Sequence, residues 1–220
     1  MLRITKHTQG RHALGVFFVL LFAAALSGCA TRPVISPSDL LQRTVDWQAH
    51  RRALEHLDQW SFSGRVAVKD KQQESWSASL DWHQRKASFD IRLSGAFGQE
   101  AARLSGKPGY AVIETADHDA LSATSVEALM REQLGWSVPV EGFRYWLVGS
   151  PAPGVIDHYS LDADGRLTGL QQAGWQVRYR SYQTVAGLDL PRKLELENPR
   201  LRLRVVIDNW QLSAQESGHV

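Results

Sequence analysis

Between Trp60 and Leu93 apolar residues recur at every second position, and a period of two over that length leaves the chain little choice but a sheet with one apolar face. Trp60, Phe62, Val66 and Val68 alternate with Ser61, Ser63, Arg65 and Lys69. Trp76, Ala78, Leu80 and Trp82 alternate with Ser77, Ser79, Asp81 and His83, and Phe89, Ile91 and Leu93 with Asp90 and Arg92. The separators, Asp70 to Gln73 and Gln84 to Lys86, are short and polar, so the three strands are expected as antiparallel neighbours in a meander. Two more candidates, Glu100 to Ser105 and Tyr110 to Thr115, flank the turn signal Gly106-Lys107-Pro108-Gly109. The strand pattern resumes over Val155 to Leu161, Leu167 to Ala173, Trp175 to Tyr182, Arg192 to Asn198 and Leu201 to Leu212, with Asp164-Gly165, Ala173-Gly174 and Asn198-Pro199 as punctuation.

Helical spacing appears in two places. Ser38-Asp39 is an N-cap signal, and Leu40, Leu41, Val45, Leu54 and Leu57 recur at roughly helical intervals up to Asp58, predicting one amphipathic helix at the start of the folded domain. Between the two runs of strands, Thr124-Ser125-Val126-Glu127 reads as a capping box and Gly135 as a helix stop. A second short helix is expected from near Glu141 to Val148, ended by Gly149 and Pro151. About ten strands with a helical insertion imply a mainly β chain, one curved antiparallel sheet wrapped around its helices.

Ahead of this domain, Arg3, Lys6 and Arg11 precede an apolar run from Ala13 to Leu26, followed by Ser27-Gly28-Cys29. A cationic head, an apolar middle and a small-residue exit make a signal peptide. At about fourteen residues, the run falls short of the ~20 that a spanning helix needs. Leu26-Ser27-Gly28-Cys29 resembles the lipobox of bacterial lipoproteins, and the chain's only cysteine stands at the expected cut. That resemblance implies cleavage before Cys29, a diacylglyceryl group on its sulfur and an acyl group on its new amino terminus. Residue 30 is Ala; an Asp there typically marks retention in the inner membrane of Gram-negative lipoproteins, so the expected address is the outer membrane. The expected organisation is a removed signal over 1–28, an acylated terminus and extended tether over 29–38 containing Pro33 and Pro37, a single domain over 39–214, and a polar tail over 215–220.

Removing residues 1–28 takes away three of the 25 Lys and Arg and none of the 23 Asp and Glu, leaving 22 against 23. The mature chain therefore lacks the basic excess of a nucleic-acid binder. Arg200, Arg202 and Arg204 alternate with Leu201, Leu203 and Val205, the pattern of a strand's wet face. With one cysteine there is no internal disulfide and no thiolate metal site, so stability rests on the core.

Candidate chemistry is sparse. Asp81 and His83 share a strand face opposite Trp76, Leu80 and Trp82, while His118-Asp119 and Asp157-His158 are adjacent pairs in or near turns. No Gly-rich phosphate loop, metal-ligand spacing or nucleophile elbow accompanies them. These side chains read as solvated surface, and no catalytic residue, metal or cofactor is expected. All eight Trp fall in the mature chain, several on apolar strand faces. They suit either a dense core or the wall of an apolar interior, with Trp76, Leu80, Trp82, Phe89 and Ile91 as the candidate lining. An acyl-chain binder needs such an interior, since exposing sixteen carbons to water costs on the order of 12 kcal/mol. Ser94-Gly95-Ala96-Phe97-Gly98-Gln99 joins two strands and sets a large apolar side chain among small residues. Phe97 either folds back under the sheet rim or protrudes, in which case burial in a lipid interface contributes ~1.5–3 kcal/mol.

The lipobox, the Trp60 to Leu93 meander, the Ser-Gly-Ala-Phe-Gly loop, Arg144-Tyr145-Trp146-Leu147-Val148-Gly149-Ser150-Pro151 and Asp208-Asn209-Trp210 together resemble the LolB family of outer-membrane lipoprotein receptors. The resemblance spans essentially the whole mature chain. It implies an open, unclosed antiparallel β-barrel of ten or eleven strands with helices as a lid over an apolar cavity. It further implies a monomer facing the periplasm that takes lipoproteins from a LolA-like carrier, binds their acyl chains and places them in outer-membrane lipid. The family's bulky aliphatic residue in the loop between the third and fourth strands acts on the membrane. That position matches Phe97, flanked by Gly95 and Gly98; Cys29 matches the acylated residue. An anchored structural or assembly module is the alternative reading, with a periplasmic hydrolase further behind.

Overall fold

The computed structural model describes residues 36–70, 74–95, 98–115 and 118–213. Cys29, Ala96, Phe97 and the polar tail lie outside the described residues. Helix α1, Pro37–Glu55, leads into β1 (Gln59–Asp70), β2 (Ser75–Arg85), β3 (Ser88–Ser94), β4 (Glu100–Lys107), β5 (Tyr110–Thr115) and β6 (His118–Ala123). Helices α2 (Val126–Leu134) and α3 (Val140–Leu147) follow, then β7 (His158–Leu161), β8 (Leu167–Gln172), β9 (Trp175–Val185), β10 (Leu188–Glu197) and β11 (Leu201–Leu212). The strands form one sheet in the order β6-β5-β4-β3-β2-β1-β11-β10-β9-β8-β7. Two local meanders therefore meet where the first strand pairs antiparallel with the last, from Trp60 opposite Leu212 to Asp70 opposite Leu201. The sheet is curved and unclosed: β6 and β7 are its edges, and the chain between them carries α2 and α3.

The β1–β11 pair contains the sheet's main irregularity. Ser63 faces Asn209 and Gly64 faces Ile207, so Asp208 is the extra residue of a β-bulge. Asp208 and Asn209 are accordingly exposed in succession, and the apolar phase set by Leu201, Leu203, Val205 and Ile207 resumes one register later at Trp210. Gly64 permits the close approach. A Cβ there would lie 2.2 Å from the Val206 carbonyl oxygen, far inside contact distance. The bulge swings Trp210 onto Trp60 and Phe62, with ring centroids 5.5 and 5.1 Å apart. Trp82 joins them at 6.0 and 6.4 Å. Such pairs contribute about 0.5–1.5 kcal/mol each beyond the area they bury, and here they seal one end of the sheet's interior.

Three points of the sequence reading are made definite or changed. The strands number eleven among the described residues because His118–Ala123 pairs with β5, Ile113 opposite Leu121; a six-residue edge strand with a single large apolar residue has little periodicity to announce it. The β9–β10 hairpin extends to Val185 and resumes at Leu188. Ala186 and Gly187 both adopt left-handed φ, 48° and 82°, a two-residue turn matched to strand twist. Pro191 sits within β10 where the register skips Arg192, as a strand proline requires, and its carbonyl accepts the Trp210 Nε1 hydrogen at 2.9 Å.

The third point concerns α1, which begins at Pro37. Only Trp47 and Leu54 are buried in it, whereas Leu40, Leu41 and Val45 are 52%, 70% and 60% exposed. At about 100° per residue, Leu41 and Val45 fall on the side opposite Trp47 and Leu54. Leu41 and Val45 thus do not continue the buried stripe of the second half, and Leu40, on the same side as Trp47, is exposed as well.

On the outer face, the arginine run of β11 meets carboxylates. Arg202 reaches Glu197 at 2.9 Å and Arg204 reaches Glu195 at 3.6 Å. Arg180 bonds Glu195 at 2.9 Å, and Arg178 pairs with Glu197. The Arg180 hydrogen bond, with the neighbouring guanidinium charges, holds the Glu195 carboxyl below its ordinary range. Exposed pairs of this kind add little stability; they keep the outer face wet.

Candidate functional site

The two inserted helices are fixed to the sheet in different ways. Ser125 caps α2, its Oγ accepting the Ala128 N–H at 3.2 Å, and Gly135 ends the helix with φ 76°. Glu127 bonds the Ser125 hydroxyl instead of completing a reciprocal capping box. Val126, Leu129 and Met130 are buried, and α2 rests on the short strands β5 and β6 at one edge of the sheet.

Helix α3 is bolted down by polar contacts. Its Trp146 Nε1 donates to Gln172 Oε1 at 2.9 Å, and Tyr179 Oη donates to the Trp146 carbonyl at 3.0 Å. Gln172, 3% exposed, also accepts the Ala152 N–H at 2.9 Å and donates Nε2 to the Ala152 carbonyl at 2.7 Å. One side chain therefore satisfies the lid helix and the segment that leaves it, inside the protein where unpaired groups cost most. Burial raises the pKa of the Tyr179 hydroxyl well above its ordinary value, so it keeps its proton and remains a donor. Phe143, Trp146 and Trp175 interlock with centroids 5.2–6.3 Å apart.

Beneath these helices lies an apolar cavity. Val66, Trp76, Leu80 and Trp82 from β1 and β2 form one wall, with Ile91, Leu93, Ala102 and Leu104 from β3 and β4 beside them and Leu203 and Val205 from β11. The roof is Met130 and Leu134 of α2, Trp136 and Val138 of the connection, and Val140, Phe143 and Leu147 of α3. Every lining side chain is hydrophobic. The space open to a water-sized sphere is about 60 Å³, small beside the about 300–1,000 Å³ of ordinary small-molecule pockets. Occupation by a long chain therefore requires the roof to move.

The candidate lining residues divide accordingly. Leu80, Trp82 and Ile91 stand in the wall, and Trp76 lies at its rim, 36% exposed. Phe89 is buried on the same sheet face but lies outside the cavity, paired across the sheet with Gln84 and Gly106 near the aromatic end. Gly95 and Gly98 close the β3–β4 connection, the Gly98 N–H bonding the Gly95 carbonyl at 3.0 Å and the Gly95 N–H bonding the Gln99 carbonyl at 2.9 Å. Gly98 has φ 80°, a conformation glycine adopts at no steric cost. Phe97, between them, lies outside the described residues, as does Cys29.

The polar pairs are dispersed. His83, Asp157 and His158 are exposed, Asp81 is half-buried, and His118 belongs to β6. Among the described residues no group of three or more His, Cys, Asp or Glu is placed to hold a metal ion, and no helix is long and apolar enough to cross a membrane.

Comparison with known proteins bears on this arrangement. The profile described as "Outer membrane lipoprotein LolB" matches residues 58–210, from the approach to β1 through Trp210 beyond the bulge. The chain belongs to the LolB family. A protein named outer-membrane lipoprotein LolB from Nitrosococcus oceani is 42% identical over 195 residues, 88% of this chain and 96% of that one. Relatives of the same name from Pseudomonas putida and Pseudomonas aeruginosa are 41% and 39% identical over 89% and 90% of this chain, covering 94% and 96% of their own. Among solved structures, a LolA superfamily protein from Nitrosomonas europaea has a TM-score of 0.47 at 9% identity, over 79% of this chain and 93% of that one, a likeness too loose to bear on function. As a LolB-family member the chain is an outer-membrane protein of lipoprotein localisation.

Sequence reasoning passed over Gln172 and Tyr179, the two residues that position the lid. Gln172 was detectable: it stands two places after Leu170 on β8, in the inward phase, where a polar residue must find partners. The roof residues Leu134, Trp136 and Val138 carried no such mark, because their role depends on where the insertion lands.

Proposed function

We infer that this LolB-family chain is a lipoprotein receptor of the outer membrane whose cavity takes the acyl chains of its cargo. The observation that carries the reading is the lining: seventeen side chains from sheet, helices and connection, all hydrophobic. An acyl chain is the ligand class that asks for this surface and no hydrogen-bond partner. Each buried methylene contributes about 0.8 kcal/mol, so a cavity that covers most of a chain holds it against water yet releases it to a bilayer, where coverage is complete. Transfer then runs downhill, with no bond made or broken. In this reading a LolA-like periplasmic carrier supplies the cargo and the receptor works as a monomer. Acylated Cys29 holds the domain at the periplasmic side of the membrane through the segment that precedes α1, and Phe97 engages lipid when cargo is released. The reading of that last role is motivated by the sequence, which sets one large apolar residue between Gly95 and Gly98.

The test uses the mature chain with Cys29→Ser, free in solution. A hydrophobic dye whose emission rises in apolar surroundings should bind it, and an acylated lipoprotein should displace the dye at near-stoichiometric concentration. The same lipoprotein stripped of its acyl chains should leave the dye in place. Equal displacement by both forms would remove the cavity from the binding event.

A further inference from the structure

Two indoles stand where the cavity meets water. Trp76, near the start of β2, and Trp136, in the α2–α3 connection, lie with ring centroids 5.5 Å apart and planes at 41°. On their inner side they line the apolar cavity; on their outer side they line an open groove that also includes Asp70, Glu74, Arg131 and Arg200. The residues common to both spaces are Trp76, Leu134, Trp136 and Val138. At the opposite end, Trp60 and Phe62 pack against both Trp82 and Trp210, and the hollow under the C-terminal part of α1 shares no lining residue with the cavity.

We propose that Trp76 and Trp136 are the gate through which an acyl chain enters and leaves the cavity. The proposal rests on the acyl-cavity reading above and adds the route. The wall cannot open without breaking strand hydrogen bonds, and α3 cannot lift without stripping Trp146 of Gln172 and Tyr179. Among the described residues, no side-chain hydrogen bond of that kind holds the connection bearing Trp136. It follows Gly135, whose left-handed φ of 76° ends α2, and its contact with the facing strand is a ring pair half open to water. Swinging Trp136 outward sacrifices one aromatic contact and joins the cavity to the groove. The polar groove then accommodates the head of the lipid-modified cargo while the acyl chain passes between the rings.

Stopped-flow binding of cis-parinaric acid, an eighteen-carbon fatty acid followed by its own emission, tests this on the full mature chain carrying Cys29→Ser, so that no anchor acyl group competes. Trp136→Ala and Trp76→Ala should each raise the association and dissociation rate constants together, on the order of two- to tenfold, the equivalent of one aromatic contact. The equilibrium affinity should move less than twofold. The double variant should do little more than either single one, because both remove the same contact. Leu80→Ala, deep in the wall, should instead weaken affinity through dissociation alone. Weakened affinity with unchanged association in the Trp variants would make the pair ordinary wall and overturn the gate, as would unchanged rates. A parent chain that binds no probe would refute the acyl-cavity reading itself, a result distinguishable from failure of the gate.

Discussion

Phe97→Glu should leave cargo acceptance intact and stop delivery to the membrane. The substituted residue stands in the sequence between Gly95 and Gly98, which close the β3–β4 connection, and in the proposed division of labour uptake belongs to the cavity, so acceptance has no reason to change. Delivery loses the ~1.5–3 kcal/mol that a buried Phe side chain contributes at a lipid interface, and a carboxylate adds its own resistance to desolvation. Together these slow insertion by at least about tenfold to a hundredfold. Phe97→Leu, which keeps a bulky apolar group, should insert like the parent chain. Acceptance and liposome insertion are scored separately, with denaturant unfolding alongside. Normal insertion by Phe97→Glu, or loss of the fold, would assign Phe97 to the core.

Gln172→Leu should be the most damaging single change near the lid, destabilising the domain by about 2–4 kcal/mol. The leucine fits an inward strand position, but it leaves Trp146 Nε1 and the Ala152 N–H without their shared acceptor and the Ala152 carbonyl without its donor. Buried groups left in that state cost about 1–3 kcal/mol each, with partial relief where water enters. Gln172→Glu keeps the acceptor, loses the donor and buries a charge, so it should fall between the parent and Gln172→Leu only if the carboxyl is protonated. Equilibrium urea unfolding followed by Trp fluorescence measures both. Stability of Gln172→Leu within about 0.5 kcal/mol of the parent would mean that the lid does not depend on this residue.

The division between what the sequence discloses and what it hides follows interaction range. Period-two runs in β1–β3 and the Gly-containing turns are local, and they place Leu80, Trp82 and Ile91 on one face before any tertiary contact is known. Phe89 has the same phase yet misses the cavity, because phase assigns a face and not a position along it. The Asp208 bulge appears in the sequence as two consecutive polar residues before Trp210, a break in alternation whose meaning depends on the partner strand. In α1, Leu41 and Val45 imitate an amphipathic stripe, and only the placement of Trp47 and Leu54 decides which side is buried. The roof residues and the Trp76–Trp136 contact are the least legible, since they pair a strand with a connection about sixty residues later.

If acyl chains occupy the space between the sheet and α2–α3, photo-crosslinking with a lipoprotein whose acyl chains carry a photoreactive group near the terminal methyl should mark its walls. After transfer to the mature Cys29→Ser chain and irradiation, the adducts should map to inward residues of β2, β3 and β11 and to roof residues such as Met130 and Phe143. Adducts confined to the outer face, or to the exposed first half of α1, would place the acyl chains outside this cavity.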